Sequence, residues 1–237
     1  MWRAIGRQLR LPTGWGGWLM GRAMEMINRA PNREAIAALA IAPADVVVEI
    51  GCGPGCAIEA IAAIAPQGRV YGVDPSPAMQ ASASRRNRKG LAAGRVSLLK
   101  GDIRDLALAP ASVDKILAVN VVYFLDEDGD DLEQAWRLLK PGGRIALYAT
   151  DRSVMRRWKF AGPDTHRLYG REELFELLHR AGFDPGEIAI REVEVAFGVT
   201  GLVATATKQR TSARSVPSAE GFRKPRRLKA PARRWSH

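Results

Sequence analysis

The stretch Val46-Val-Val-Glu-Ile-Gly-Cys-Gly-Pro-Gly-Cys56, followed by Val70-Tyr-Gly-Val-Asp74, decides how this chain folds. An apolar run ends in an acid and three closely spaced glycines. A second apolar run, one helix length later, ends in another acid. Buried parallel strands read as continuous Val and Ile runs. Glycines just past a strand end let the backbone turn sharply and approach a ligand. The carboxylate closing the next strand can accept both hydroxyls of a ribose, as it does in nucleotide-binding α/β folds. The two runs therefore predict a nucleoside-bearing cofactor over the carboxyl ends of a parallel sheet.

The glycine spacing narrows the nucleoside. The dinucleotide fingerprint is G-x-G-x-x-G. Here Gly51 and Gly53 fit it, but Cys56 stands at the third position and the extra glycine is Gly55, giving G-x-G-x-G after Glu49. A phosphate-binding Walker loop needs Gly-Lys-Ser/Thr after the glycines, and none follows. The spacing disfavours an NAD(P) oxidoreductase.

Further segments follow in order: Leu98-Leu-Lys-Gly-Asp102-Ile103, Lys115-Ile-Leu-Ala-Val-Asn120-Val-Val-Tyr123-Phe124, and Leu138-Leu-Lys-Pro-Gly-Gly-Arg-Ile-Ala-Leu-Tyr148. With Val46–Gly55 and Val70–Met79 they make the sequence similar to the class I S-adenosylmethionine-dependent methyltransferases, especially the type 11 small-molecule group, over roughly residues 32–207. The resemblance implies S-adenosylmethionine as cofactor. Gly51, Cys52, Gly53 and Gly55 would pass under its methionine part, with Glu49 anchoring that loop or the amino group. Asp74 would take the ribose, in the motif that also holds Pro75 and Met79. Asp102 would accept from the adenine amine and the Ile103 N–H would meet a ring nitrogen. Asn120 would sit beside the sulfonium and the acceptor.

Strands are predicted near 46–50, 70–73, 95–99, 113–119 and 144–149, and helices near 56–65, 77–89, 130–139 and 171–181. This alternation implies right-handed crossovers and a parallel sheet. Two adjacent strands, 187–197 and 201–208, then follow without an intervening helix and match the family's closing hairpin. The predicted fold is α/β, a Rossmann-like three-layer sandwich with a mostly parallel seven-stranded sheet and an antiparallel last strand. Upstream, 18–29 and 33–41 read as two helices punctuated at Pro31-Asn32. Residues 1–33 are taken as an N-terminal cap across the cofactor mouth and 34–207 as the methyltransferase domain. Residues 208–237, poor in apolar side chains, read as a basic disordered tail.

The net charge of +11 is not spread evenly. Residues 208–237 carry +9 and residues 1–33 carry +5, so the body is −3. A basic active site does not follow from that. Arg223-Lys-Pro-Arg-Arg227 would bind a polyanion by charge. Trp2, Trp15 and Trp18 among N-terminal arginines suit either core packing or an anionic membrane surface. No apolar run reaches the roughly 18 residues that span a bilayer. Two cysteines in one glycine loop make a poor disulfide framework and no zinc set, so no metal is expected, and a reducing cytoplasm suits them.

Methyl transfer from a sulfonium is an in-line displacement that chiefly needs alignment and exclusion of water. A general base is required only where the acceptor must lose a proton early. His166, in the irregular and basic segment 150–170, is the best candidate base. Tyr123 could donate, accept or line the pocket, and Asn120 is polar at the end of an apolar strand. Asn120 is followed by Val-Val-Tyr rather than Pro-Pro-Tyr, and no Pro-Cys nucleophile appears, which weighs against a nucleic-acid base as acceptor. The expected function is methyl transfer to a small molecule, amphiphilic acceptors included. An RNA or protein methyltransferase guided by the basic tail, and a non-catalytic cofactor-binding protein, are the alternatives.

Overall fold

The computed structural model describes residues 24–126, 129–161, 166–195 and 198–210. The N-terminal tryptophans and the polybasic stretch 223–227 lie outside the described residues. Helix α1 (Arg29–Leu39) leads into β1 (Val46–Ile50), α2 (Cys56–Ile64), β2 (Arg69–Asp74), α3 (Pro77–Arg86), α4 (Arg88–Ala92) and β3 (Val96–Lys100). There follow β4 (Val113–Val119), α5 (Asp130–Leu138), β5 (Leu139–Thr150), α6 (Arg152–Met155), α7 (Arg171–Arg180), β6 (Ile188–Val195) and β7 (Val199–Thr207). The seven strands form one sheet in the order β3-β2-β1-β4-β5-β7-β6. Strands β1 to β5 pair in parallel, while β7 runs antiparallel to both β5 and β6. The predicted three-layer fold is the one observed.

Strand β1 shows why these runs become central strands. Val47 is buried with Ala35, Leu39, Ile58 and Ile61 under α1 and α2, while its neighbour Val48 is buried in the opposite layer. Strand β4 repeats the division, with Leu117 on the first side and Ile116 and Ala118 on the second. The second layer is filled by Leu132, Ala135 and Leu138 of α5 and by Leu174, Leu177 and Leu178 of α7. Successive side chains point to opposite faces, so a strand covered on both faces is apolar along its covered stretch, with Glu49 near the end of β1 as the buried exception.

Three local predictions are corrected. Pro31 does not punctuate a helix but lies inside α1, buried in its first turn. A helix's first N–H groups have no partner within the helix, so proline's missing donor costs nothing there. The expected single helix 77–89 is two helices, α3 and α4, separated at Asn87. The Asn87 amide donates to Gly55 O and Ala83 O, both at 3.0 Å, and its backbone leaves helical geometry. Lys208, placed by its charge in the tail, is tied to the body. Its ammonium donates to Trp136 O at 2.8 Å and Leu139 O at 2.9 Å, and lies 3.9 Å over the Trp136 ring.

Candidate active site

The chain order reverses between β1 and β4, and ligands of open α/β sheets bind at such a switch point beyond the carboxyl ends of the strands. A cavity of about 660 Å³ opens there, lined by residues that follow β1, β2, β3 and β4 and by the segment 24–32. Among the predicted cofactor residues, Glu49, Gly51, Cys52, Gly53, Asp74, Pro75, Met79, Asp102 and Asn120 all line it. Gly55 and Ile103 are not among the lining residues. Gly55 faces α3 instead, and the Ile103 side chain is fully buried in the core.

The glycine turn is locked to β2. Cys52 N–H donates to Val73 O at 3.0 Å, and Gly53 N–H donates to Asp74 Oδ2 at 2.9 Å. The other Asp74 oxygen accepts from Ser76 N–H at 2.8 Å. Burial pushes the Asp74 carboxyl up, and these two backbone donors oppose that shift. Gly53 has φ +50, and an added Cβ would meet nothing within 4 Å, so the turn leaves open space on its cavity side. Helix α2 starts at Cys56 with Gly55 as its N-cap and no side-chain cap. Cys52 and Cys56 are both free thiols.

Glu49 is buried, and one of its carboxyl oxygens, Oε2, has no hydrogen-bond partner among the described residues. Burial pushes its carboxyl well above the usual carboxylate range, and neighbouring Asp74 adds to the shift. At the β3 end of the cavity, Asp102 is held by Arg104, whose guanidinium donates to Asp102 Oδ2 at 2.9 Å. That bond, before all else, pulls the Asp102 carboxyl down. Arg104 also reaches Asp126 and Asp131, each at 3.2 Å. Three carboxylates around one guanidinium were not foreseen. The only trace in the sequence was an Arg two residues after Asp102.

The third group lies at the end of β4. Asn120 has φ +53, a left-handed conformation that Asn tolerates better than most residues, and its side chain faces the cavity. Its amide nitrogen donates to Asn28 Oδ1 at 2.8 Å, and its oxygen accepts from the Tyr123 hydroxyl at 2.9 Å. That hydroxyl accepts in turn from Thr150 N–H at 2.5 Å. Tyr123 is thus occupied in fixing Asn120 against β5, and burial raises its phenol pKa. His166 lines the cavity but is almost fully buried, its ring centroid 4.8 Å from that of Phe124 and 5.8 Å from that of Tyr123. The histidine offered as candidate base is part of an aromatic cluster.

Segment 24–32 covers the cavity from above. Met24, Glu25, Asn28 and Asn32 line it, and Glu25 is tied to Arg86 of α3 at 2.7 Å. None of these four residues, nor Arg167, was singled out by the sequence. Their positions come from α1 packing on β4, β5 and β7.

Whether these residues fit S-adenosylmethionine can be judged from the donors and acceptors present. The cofactor offers an ammonium, two ribose hydroxyls and an adenine amine, all donors. The cavity presents acidic acceptors at Glu49, Asp74 and Asp102, in strand order, around a turn with open space above Gly53. They fit.

Known proteins agree. Residues 48–147 match the family described as Methyltransferase domain. An uncharacterised methyltransferase, YdaC, of Bacillus subtilis is 28% identical over 194 residues, which are 81% of this chain and 99% of that protein. A trans-aconitate 2-methyltransferase of Azoarcus sp. is 36% identical over 116 residues, 48% of this chain and 43% of that protein. The chain thus spans nearly the whole of the first relative and less than half of the second. A methyltransferase structure from Aquifex aeolicus has the same fold, with a TM-score of 0.63 and 22% identity over 80% of this chain and 98% of that one. Fold, cavity chemistry and sequence relatives converge on a class I S-adenosylmethionine-dependent methyltransferase, whose domain the chain matches over residues 48–147.

Proposed function

We propose that the protein transfers a methyl group from S-adenosylmethionine to a small molecule bound between Asn120, Tyr123 and the 24–32 segment. The observation that carries this is one continuous cavity with acids at its β1, β2 and β3 ends and amide and aromatic groups at its β4 end. Its volume of about 660 Å³ falls within the range of roughly 300–1,000 Å³ common to small-ligand sites. When bound, the cofactor supplies an activated methyl on a sulfonium. The chain's own residues orient and enclose it. Asp74 accepts from the ribose, Asp102 from the adenine amine, and Glu49 Oε2 from the amino group. Asn120, held between Asn28 and Tyr123, positions the acceptor and screens it from water. In this reading residues 34–207 carry the reaction, the 24–32 part of the expected N-terminal cap lines the mouth, residues 1–23 of it lie outside the described residues, and the free thiols suit the cytoplasm. Among the described residues no helix is long and apolar enough to cross a membrane.

The test of cofactor binding uses Glu49. Its folded pKa lies above its unfolded value, so between the two the native state holds the extra proton and stability falls as pH rises. An ammonium against Oε2 favours the ionised carboxylate. Binding of S-adenosylhomocysteine near neutral pH is therefore expected to release up to about one proton. Calorimetry in buffers of different ionisation enthalpy measures this release, which Glu49→Gln should remove. A binding enthalpy independent of buffer in the wild type would reject the role given to Glu49. No binding at all would reject the whole reading.

Arg104 gives a second prediction. Arg104→Ala leaves the buried Asp131 without its only cation among the described residues and frees Asp102 to move. Breaking a partly buried ion cluster by removing one partner is destabilising. The expected result is a melting point several degrees lower and binding of S-adenosylhomocysteine roughly tenfold weaker. Arg104→Lys keeps the charge but not the fork geometry, so it should restore the melting point more fully than the affinity. If neither quantity moves in the alanine variant, the cluster has no part in adenine recognition.

A further inference from the structure

We propose that the acceptor is a carboxylic acid, gripped by Arg167 and methylated on its carboxylate oxygen to give a methyl ester. This rests on the methyltransferase reading above and names the class of molecule that the acceptor half of the same cavity takes.

Most charged groups that line the cavity have polar partners. Glu25 is paired with Arg86 at 2.7 Å. Asp74 accepts from Gly53 and Ser76, and Asp105 accepts from Asp102 N–H at 2.9 Å. Asp102, Asp126 and Asp131 surround Arg104. One of the two lining guanidiniums is thus saturated with carboxylates. Arg167, the other, forms no ion pair among the described residues, although it is only partly exposed and lies on the cavity wall. Its backbone N–H donates to Tyr123 O at 3.4 Å, which sets it beside the Asn120–Tyr123 end rather than the Asp102 end. A guanidinium presents a rigid fork that matches a carboxylate with two parallel hydrogen bonds.

An aromatic pair adjoins this wall. Trp158 stacks on Phe160 at 5.3 Å, and Phe160 lies 6.0 Å from His166, which lines the cavity. In the same stretch of chain Arg156, Arg157 and Lys159 are exposed and form no ion pair among the described residues. Exposed cations in that stretch favour the approach of an anion.

The chemistry agrees with what the site lacks. Tyr123 has its hydroxyl bound at both ends, and burial raises its phenol pKa, so it stays a neutral phenol and offers no phenolate base. A carboxylic acid is already ionised at neutral pH, with an ordinary pKa near 4, so no base is needed. A lone pair on one carboxylate oxygen forms the new O–CH3 bond as the S–CH3 bond breaks, and that bonding pair stays on sulfur. The sulfonium becomes a thioether, the carboxylate becomes an ester, and no proton changes hands.

The test uses the full chain, S-adenosylmethionine labelled in its methyl group, and trans-aconitate, citrate and benzoate as probes. At least one probe should yield label that alkali releases as volatile methanol, the signature of a methyl ester. Turnover in weak buffer should release no proton. Arg167→Gln should lower kcat/KM for that probe about a hundredfold, the loss expected for a charged hydrogen-bonded pair. Arg167→Lys should lose less, and both variants should bind S-adenosylhomocysteine within about twofold of the wild type. Alkali-stable label, or no ester from any probe while S-adenosylhomocysteine still binds, overturns the proposal. So does an Arg167→Gln loss that falls on S-adenosylhomocysteine affinity, because Arg167 would then hold the cofactor's own carboxylate. A wild-type chain that binds no S-adenosylhomocysteine overturns this inference and the methyltransferase reading together.

Discussion

Asp74→Ala is expected to weaken S-adenosylhomocysteine binding at least a hundredfold while leaving the protein folded. Hydrogen bonds to a charged group contribute roughly 1.5–3 kcal/mol each, so losing both ribose hydroxyls amounts to about 3 kcal/mol or more. Two further effects act on the fold and oppose each other. The substitution strands the Gly53 and Ser76 N–H groups, which donate to this carboxylate at 2.9 and 2.8 Å. It also removes a buried charge whose desolvation is already visible as a raised pKa. Those contributions largely offset, and the melting point should move by only a few degrees. Asp74→Asn keeps one acceptor oxygen and should lose about tenfold in affinity. Calorimetry alongside thermal melts separates the two quantities. If the alanine variant binds within fivefold of the wild type, the ribose is not held by β2.

Gly53→Ala and Gly55→Ala are expected to fail in different ways, although the two glycines are two residues apart in one turn. At Gly55, with φ +80, a Cβ would lie 2.6 Å from Asn87 Nδ2 and 2.9 Å from the backbone Cα of Ala83. Asn87 is pinned by its two hydrogen bonds and α3 is packed, so neither neighbour yields easily. Left-handed strain of about 1–2 kcal/mol and overpacking of about 1–3 kcal/mol give a loss near 3 kcal/mol, or a melting point lower by roughly 6–12 °C. At Gly53, with φ +50, a Cβ meets no protein atom within 4 Å. Only the backbone strain remains, about 1 kcal/mol and a few degrees. The added methyl does enter the space above the turn, so binding of S-adenosylhomocysteine should fall tenfold or more. Equal losses of stability and affinity in both variants would show that the turn does not divide its glycines between packing and ligand.

That division explains what could be read in advance. Glycine spacing marks a turn that side chains cannot make, but it does not say which glycine meets a ligand and which meets a helix. Gly55 was assigned to the cofactor and turns out to face α3, because the partner that needs the space, Asn87, lies 32 residues further along the chain. Pro31 misled for a related reason. Its effect depends on whether it stands in the first turn of a helix or later, and that start is set at Asn28, whose side chain accepts from Asn120 across 92 residues. Tyr123 and His166 were visible as chemistry-bearing residues. Their occupation, with the hydroxyl shared between Asn120 and Thr150 and the imidazole among aromatic rings, was not.

The sequence by itself determined the layered sheet, the glycine bend and the acids Glu49, Asp74 and Asp102 near its strand ends. These features rest on interactions within a strand or a turn, and the period of the backbone writes them into neighbouring residues. Only the tertiary structure decided which charges are neutralised and which stay open. Arg104 and Arg167 look alike in the chain, yet one is surrounded by three carboxylates and the other lines the cavity with no carboxylate partner among the described residues. Coulomb interactions depend on distance in space, and those distances are set by how α1, α5 and the loops beyond β4 and β5 pack together.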